Sequence, residues 1–161
     1  MSEEVIAVIE ASAPRRLLAV CMQVAMGGML IYFALALPNA FGWRAFLLLF
    51  GIAWFVLAAK MNTAAKMRLE LTETSLRDNA GEELASMDNV RSVSRGMFAF
   101  KPSNGFTLVL KNTKGPARWR PGLWWRFGSR VGIGGVTAGS QTKPAAQMIE
   151  AIVAQRASGG V

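Results

Sequence analysis

Few side chains in this sequence are of the types that carry out chemistry. Glu82, Glu83 and Asp88 stand close together after a turn, and paired carboxylates can act as general acid and general base. Acids in a polar stretch after a turn are more often hydrated surface groups, which is the interpretation we prefer. The chain has no histidine, which removes the commonest general base and the commonest transition-metal ligand. The sequence therefore predicts a protein that is not an enzyme and that holds no metal ion and no cofactor.

Four glycines in the segment VGIGGVTAG superficially resemble a dinucleotide-binding loop. They are Gly132, Gly134, Gly135 and Gly139. The third glycine of a G-x-G-x-x-G motif would fall on Thr137, and no strand-helix-strand unit is predicted around it. The pattern favours a bulged or twisted edge strand instead.

Residues 89–149 have an unusual distribution of charge. These 61 residues contain ten bases and no acid, whereas six acids lie between Glu70 and Asp88. Within this basic region four arginines are interleaved with three tryptophans and one phenylalanine. These candidate lipid-binding or partner-binding residues are Arg118, Trp119, Arg120, Trp124, Trp125, Arg126, Phe127 and Arg130. Because indoles settle at headgroup depth and guanidinium groups bind phosphates, the segment is typical of a loop that touches an anionic bilayer.

Three other interpretations of this segment stay open. In the first, one or two tryptophans fill the core of the domain and the arginines are hydrated at its rim. In the second, Trp124 and Trp125 pack against another membrane protein, since Trp and Arg are enriched at interfaces. In the third, nucleic-acid bases stack on the aromatic rings. No recognisable binding motif accompanies the segment, so no nucleic acid is expected.

The element that must position this segment is an apolar stretch from residue 17 to residue 59, with Arg44 as its only charge. Residues 17–37 predict a membrane-spanning helix, because 21 residues at about 1.5 Å each cross a hydrocarbon layer of about 30 Å. Residues 45–62 predict a second, whose uncharged part before Lys60 is short, so Arg44 and Lys60 must reach out to the headgroups. Pro38, Asn39 and Gly42 predict the turn between them.

Two alternatives to a membrane hairpin are a buried hairpin of a soluble protein and a signal peptide cleaved near residues 34–36. The first is disfavoured because both helices are apolar all round and the remaining chain is too small to cover them. The second is disfavoured because the apolar run is long and acids precede it. The single cysteine, Cys21, lies in the first helix and is interpreted as a packing residue, with no intramolecular disulfide.

The charges flanking the helices predict the topology. Five cations, Arg15, Arg16, Lys60, Lys66 and Arg68, lie on the side of the two termini, and only Arg44 lies in the connection. The positive-inside rule then places both termini and the C-terminal domain in the cytoplasm. The predicted membrane-interface residues are Arg15, Arg16, Trp43, Arg44, Lys60 and Lys66.

Outside the helices the sequence predicts an N-terminal segment, residues 1–16, and one soluble domain, residues 66–161. The segment reads either as a short amphipathic helix or as a disordered tail. Strands are predicted at 67–72, 90–94, 97–100, 106–110 and 130–133, spaced as in an antiparallel sheet, with a turn at 78–81. A final helix at 143–156, capped by Ser140 or Thr142, is predicted to pack on the sheet through Met148, Ile149, Ile152 and Val153.

This order of elements resembles the bacterial pleckstrin-homology-like membrane proteins. The resemblance lies in LELTETSLRD at 69–78, DNVRSV at 88–93, FTLVLKN at 106–112, and VGIGG with the following helix at 131–156. It implies a partly open barrel of about seven strands capped by the C-terminal helix, acting as a binding or scaffolding module without chemistry. The chain departs from the family's pattern at Ala85, Ser86 and Met87, where a tryptophan or similar bulky residue is common.

The sequence thus predicts a non-enzymatic inner-membrane adaptor with a two-helix anchor. Its cytoplasmic domain is expected to contact anionic lipids, or an integral membrane protein partner, through the basic tryptophan-rich segment. The alternative is an accessory or assembly subunit of a larger integral membrane complex, with the hairpin packed on that complex.

Overall fold

Two long helices form an antiparallel hairpin in the computed structural model, which describes residues 4–38, 40–95, 102–113 and 115–159. Helix α1 spans Ala13–Ala36 and helix α2 spans Phe41–Ala64. Both are long and apolar enough to cross a membrane, with mean hydropathies of 2.0 and 1.9. Only 11% and 17% of their most apolar windows are buried in this chain. The rest of the protein therefore leaves the helices uncovered, which argues against a buried soluble hairpin.

The two helices are equally long, which corrects the prediction of a shorter second helix. Each has 24 residues, about 36 Å at 1.5 Å per residue. Helix α2 begins at Phe41 rather than at residue 45, so Gly42 and Arg44 belong to its first turn and not to the loop. A single glycine costs a helix only about 1 kcal/mol, which packing against a second helix can offset.

The helices approach each other most closely at Gly27 and Gly51. A Cβ atom on Gly27 would lie 3.0 Å from the carbonyl oxygen of Gly51, and one on Gly51 would lie 2.7 Å from Cγ1 of Ile31. By contrast, Gly28 faces outward with nothing within 4 Å of a Cβ position. Small residues that let two backbones meet are typical of helix contacts in membranes.

Replacing Gly51 by leucine is therefore expected to destabilise the helix pair by about 1–3 kcal/mol through overpacking. Gly28→Leu adds the same side chain to an open face and serves as the control. Equilibrium unfolding of the full chain in mixed detergent micelles, followed by far-ultraviolet circular dichroism, measures both variants. Equal stabilities would contradict the close contact at Gly51.

The N-terminal segment is a β-strand, so the predicted amphipathic helix or disordered tail is wrong. Strand β1, Val5–Glu10, pairs antiparallel with strand β2, Arg68–Thr72, with Ile9 opposite Leu69. The apolar pairs Val5-Ile6 and Val8-Ile9 are compatible with the period of a helix and with that of a strand. The partner strand on the far side of the hairpin decides between them, and no local pattern reveals that partner.

The helix hairpin is consequently the connection between two paired strands. Strand β1 ends at Glu10 and α1 begins at Ala13, while α2 ends at Ala64 and β2 begins at Arg68. Because β1 and β2 are hydrogen-bonded neighbours, they must lie on the same side of any membrane that the helices cross. Which side that is stays a prediction from the flanking charges.

The remaining strands complete two antiparallel sheets. The first sheet has the order β1-β2-β3-β4, with β3 at Ser75–Asp78 and β4 at Glu83–Ser86. The second has the order β5-β6-β9-β8-β7. Its strands are β5 (Val90–Ser94), β6 (Phe106–Leu110), β7 (Arg118–Arg120), β8 (Trp124–Phe127) and β9 (Arg130–Ile133). A 3-10 turn, Met87–Asn89, joins the sheets.

Several strand predictions are confirmed, and the predicted architecture is only partly right. The strands at 90–94, 106–110 and 130–133 are found as expected, and β2 begins one residue later than predicted. The strand predicted at 97–100 lies outside the described residues. The nine strands of the described chain exceed the predicted seven and form two open sheets, not a closed barrel.

Helix α3, Gly139–Ser158, packs its buried residues Ala145, Ala146 and Ile149 into the common core of the domain. It begins four residues before the predicted start, and no side chain caps it. The Thr142 hydroxyl instead donates to the carbonyl oxygen of Asn104 at 2.6 Å. Met148 is exposed, so its predicted place in the packed stripe is wrong.

Candidate membrane-facing surface

The β domain is fixed to the helix hairpin at a small apolar junction. Met61 and Ala65 at the end of α2 are buried together with Val136 from the connection between β9 and α3. The backbone N–H of Ser12 donates to the carbonyl oxygen of Val136 at 2.8 Å. The Arg15 Nη1 atom donates to the carbonyl oxygen of Thr137 at 2.9 Å. Contacts to both helices therefore set the orientation of the domain relative to the hairpin.

The basic tryptophan-rich segment is a β-hairpin, which corrects its prediction as a loop. Strands β7 and β8 pair antiparallel and are joined by a turn in which the N–H of Leu123 donates to the carbonyl oxygen of Arg120 at 3.1 Å. Pro121 precedes Gly122, whose φ of 80° is the conformation that a type II turn requires of its third residue. The prediction of a loop overlooked the Pro-Gly dipeptide, which is a turn signal in a sequence.

The turn of this hairpin packs directly against the end of α2. A Cβ atom on Gly122 would lie 3.2 Å from Cε of Met61 and 3.3 Å from Cγ2 of Val136. The glycine is thus needed for its φ angle and also for the close approach. This contact places the turn between β7 and β8, with Arg120 next to it, beside the end of α2.

The strand alternation divides the predicted binding residues between the inside and the outside of the domain. Trp124 is 1% exposed and is part of the hydrophobic core, so for this residue the interpretation as core was the right one. Arg126 is also buried. These two side chains are not available to a lipid or a partner, and the candidate surface excludes them.

Arg126 and Arg118 both bind Glu82. Arg118 Nη1 lies 2.7 Å from Oε2 of Glu82, and Arg126 Nη2 lies 3.6 Å from its Oε1. Arg126 Nη1 also donates to the carbonyl oxygen of Glu83 at 3.3 Å. The cluster links β8 to the turn before β4 and neutralises part of the charge that the sequence assigned to the binding surface.

The outer face of β7 and β8 carries an aromatic row of Trp119, Trp125 and Phe127. Trp119 and Phe127 are each 57% exposed. Trp119 pairs across the strands with Trp125, whose indole covers Gly132 and would lie 2.3 Å from a Cβ atom there. The rings of Trp125 and Phe127 are 5.8 Å apart. Trp119 is the tryptophan of this row that is most open to the surroundings.

Distance from the helix end divides the exposed residues further. Trp119 and Arg120 line a groove with Lys60 at the end of α2. Phe127 and Arg130 lie on the strand segments that run away from that end, about 10 Å further along the strands at about 3.4 Å per residue. Trp119 and Trp125 face outward, whereas Arg120 is half-buried opposite Trp124 at the strand end and reaches the surface at this groove. The part of the candidate surface nearest to a bilayer spanned by the hairpin is therefore Trp119 and Arg120, followed by Trp125.

The predicted membrane-interface residues lie at the two ends of the hairpin. Arg15 and Arg16 are in the first turn of α1, and Lys60 and Lys66 flank the last turn of α2, beside the domain. Trp43 and Arg44 lie at the opposite end, in the first turn of α2. The Trp43 ring stacks on Phe46 at 5.3 Å between centroids.

The sequence also offered three acids, a glycine-rich segment and one cysteine as candidates for chemistry. Asp88 forms an ion pair with Arg156, and Glu82 forms ion pairs with Arg118 and Arg126. Strand β9 lies between β6 and β8, so the glycine-rich segment begins in a central strand, not the predicted edge strand. The free Cys21 is exposed on α1.

Comparison with known proteins decides no family. No protein-family model, curated protein or solved structure matches this chain. The structure agrees with the pleckstrin-homology-like resemblance only in its general elements, which are two long apolar helices, antiparallel sheets and a C-terminal helix.

Proposed function

We propose that this protein is a non-enzymatic adaptor of a bacterial inner membrane. Helices α1 and α2 anchor it, both termini lie in the cytoplasm, and a pleckstrin-homology-like domain lies against the anionic membrane surface. Trp119, Arg120 and Trp125 form the contact. The domain offers this surface as a scaffold for other proteins.

The observation that carries the proposal is the insertion of the hairpin between β1 and β2. A domain on a single linker would rotate freely, whereas this one has two short connections and the junction of Met61, Ala65 and Val136. A fixed surface beside the membrane needs little affinity of its own, because tethering keeps its local concentration high.

Charge and aromatic character support a lipid surface as the ligand. Arg120 and Lys60 form no ion pair with the acids of the described residues. A cation beside an anionic bilayer contributes about 1 kcal/mol. Trp119 adds an indole, the side chain that settles at the boundary of hydrocarbon and headgroup.

Depth-dependent quenching tests the proposed contact on the full chain. With Cys21 replaced by serine, an environment-sensitive fluorophore is attached at Trp119→Cys or, as the matched control, at Glu73→Cys. Residue 73 follows β2 at its end away from the helices. In anionic vesicles with headgroup nitroxide lipids, stronger quenching is expected at position 119 than at position 73. Equal quenching at both positions would overturn the proposed contact.

The accessory-subunit function stays the second candidate. It is favoured by Gly28, which leaves an open site on the outer face of α1 for close approach of another helix. A stoichiometric integral membrane protein in a mild detergent extract is the finding that would favour it over the first.

A further inference from the structure

Between the end of α2 and strand β7 lies a groove whose lining, among the described residues, has two cations and no acid. It is lined on one side by the end of α2 and the residues after it, and on the other by β7 and its turn: Ala59, Lys60, Thr63, Ala64 and Met67, and Trp119, Arg120 and Pro121. Its volume is about 410 Å³, which is within the range of small-molecule sites. Neither cation forms an ion pair with an acid in the part of the chain that the structure describes, so the groove suits an anion that both cations can reach.

The position of the groove indicates the depth at which that anion lies. Gly51 marks the crossing of the helices, and Lys60 follows it by nine residues, about 13 Å at 1.5 Å per residue. Half the hydrocarbon layer is about 15 Å thick. With the crossing near the middle of a bilayer, the Lys60 ammonium reaches the level of the lipid phosphates.

An apolar stripe continues from the groove along α2. Val56, Ile52 and Leu49 lie on the same helix face as Lys60, at spacings of four, four and three residues. They are among the exposed large apolar side chains of the chain. A free anion would use the cations and leave this stripe empty, whereas a molecule with a phosphate at one end and a hydrocarbon chain at the other would cover both.

We propose that this groove binds the phosphodiester headgroup of one anionic glycerophospholipid, whose acyl chains lie along Val56, Ile52 and Leu49. Lys60 and Arg120 bind the phosphate, and Trp119 packs over the glycerol region. This inference rests on the proposed membrane anchoring and goes beyond it, because it assigns a discrete lipid site and not a general attraction to the surface.

Native mass spectrometry of the full chain in a mild detergent tests the site, with phosphatidylglycerol or phosphatidylcholine added. The wild type is expected to retain phosphatidylglycerol preferentially, and Lys60→Gln with Arg120→Gln to lower that preference about tenfold. The control, Arg91→Gln with Lys111→Gln, removes the same charge at exposed positions outside the groove and is expected to change that preference less than about twofold. Lys60→Gln alone, at an exposed helix position, keeps the test valid if the double variant misfolds.

Three outcomes would overturn the lipid site. They are a wild type without headgroup preference, an equal loss in the control, and displacement of the lipid by excess inorganic phosphate, which would show that the site takes a free anion. The quenching experiment is independent of all three. Quenching at position 119 without lipid retention overturns the groove alone. Lipid retention without quenching overturns the proposed surface contact and the packing of Trp119 over the glycerol, and it leaves the binding of the phosphate by Lys60 and Arg120.

Discussion

Replacing Ile9 by asparagine is expected to destabilise the β domain by about 4 kcal/mol, although Ile9 precedes the first helix. Its side chain is 0% exposed and belongs to the same core as Leu69, Leu76 and Ile149. The loss combines the removed apolar burial with an amide that finds no partner in an apolar core. Hydrogen exchange of the sheet amides in the full chain, read by mass spectrometry, separates the domain from the helices.

Val8→Asn is the matched control for this prediction. Val8 lies next to Ile9 on the opposite face of β1 and is partly exposed, so the same substitution is expected to cost less than about 1 kcal/mol. Equal protection of the sheet amides in the two variants would contradict the pairing of β1 with β2. A chain cut to residues 67–161 lacks β1 and is expected to fold poorly for the same reason.

Replacing Trp124 by alanine is expected to cost about 3–5 kcal/mol of domain stability, as large cavities in cores do. Trp124 is among the largest fully buried side chains of the described residues. Trp119→Ala, on the other strand of the same hairpin, is expected to change stability by less than about 0.5 kcal/mol, because its indole lies mostly in solvent. The stabilities of the two variants are compared by denaturant unfolding of the full chain, with hydrogen exchange of the sheet amides as the readout.

The two tryptophans also separate stability from function. Trp124→Phe keeps most of the buried area, so it is expected to restore much of the loss in Trp124→Ala. Trp119→Ala is expected to weaken the contact with anionic vesicles while the domain stays folded. A stable Trp124→Ala variant, or an unfolded Trp119→Ala variant, would contradict the assignment of Trp124 to the core side and of Trp119 to the outer side of this hairpin.

The candidate surface could be found from composition but not resolved into its parts. The charge partition and the interleaved tryptophans singled out residues 118–130, and the flanking cations singled out the ends of the helices. The side chains that point outward depend on the start of β7 and β8, because a strand shifted by one residue exchanges its two faces. The Pro121-Gly122 turn sets that start, and its contact with Met61 sets which end of the hairpin meets the helices.

By itself, the sequence determined the elements whose signal is local. Long apolar runs predicted both helices, period-two alternation predicted β2, short β-like runs between turn signals predicted β5, β6 and β9, and a helical stripe predicted most of α3, because these patterns lie within one segment. Only the tertiary structure decided the partners of β1, the burial of Trp124 and Arg126, and the groove of Lys60 and Arg120. Each of these joins residues more than fifty positions apart, or depends on a strand register, and such pairings are fixed by the packing of the whole domain. The helix hairpin is thus an insertion between two strands of one sheet, which no segment of the sequence read alone could reveal.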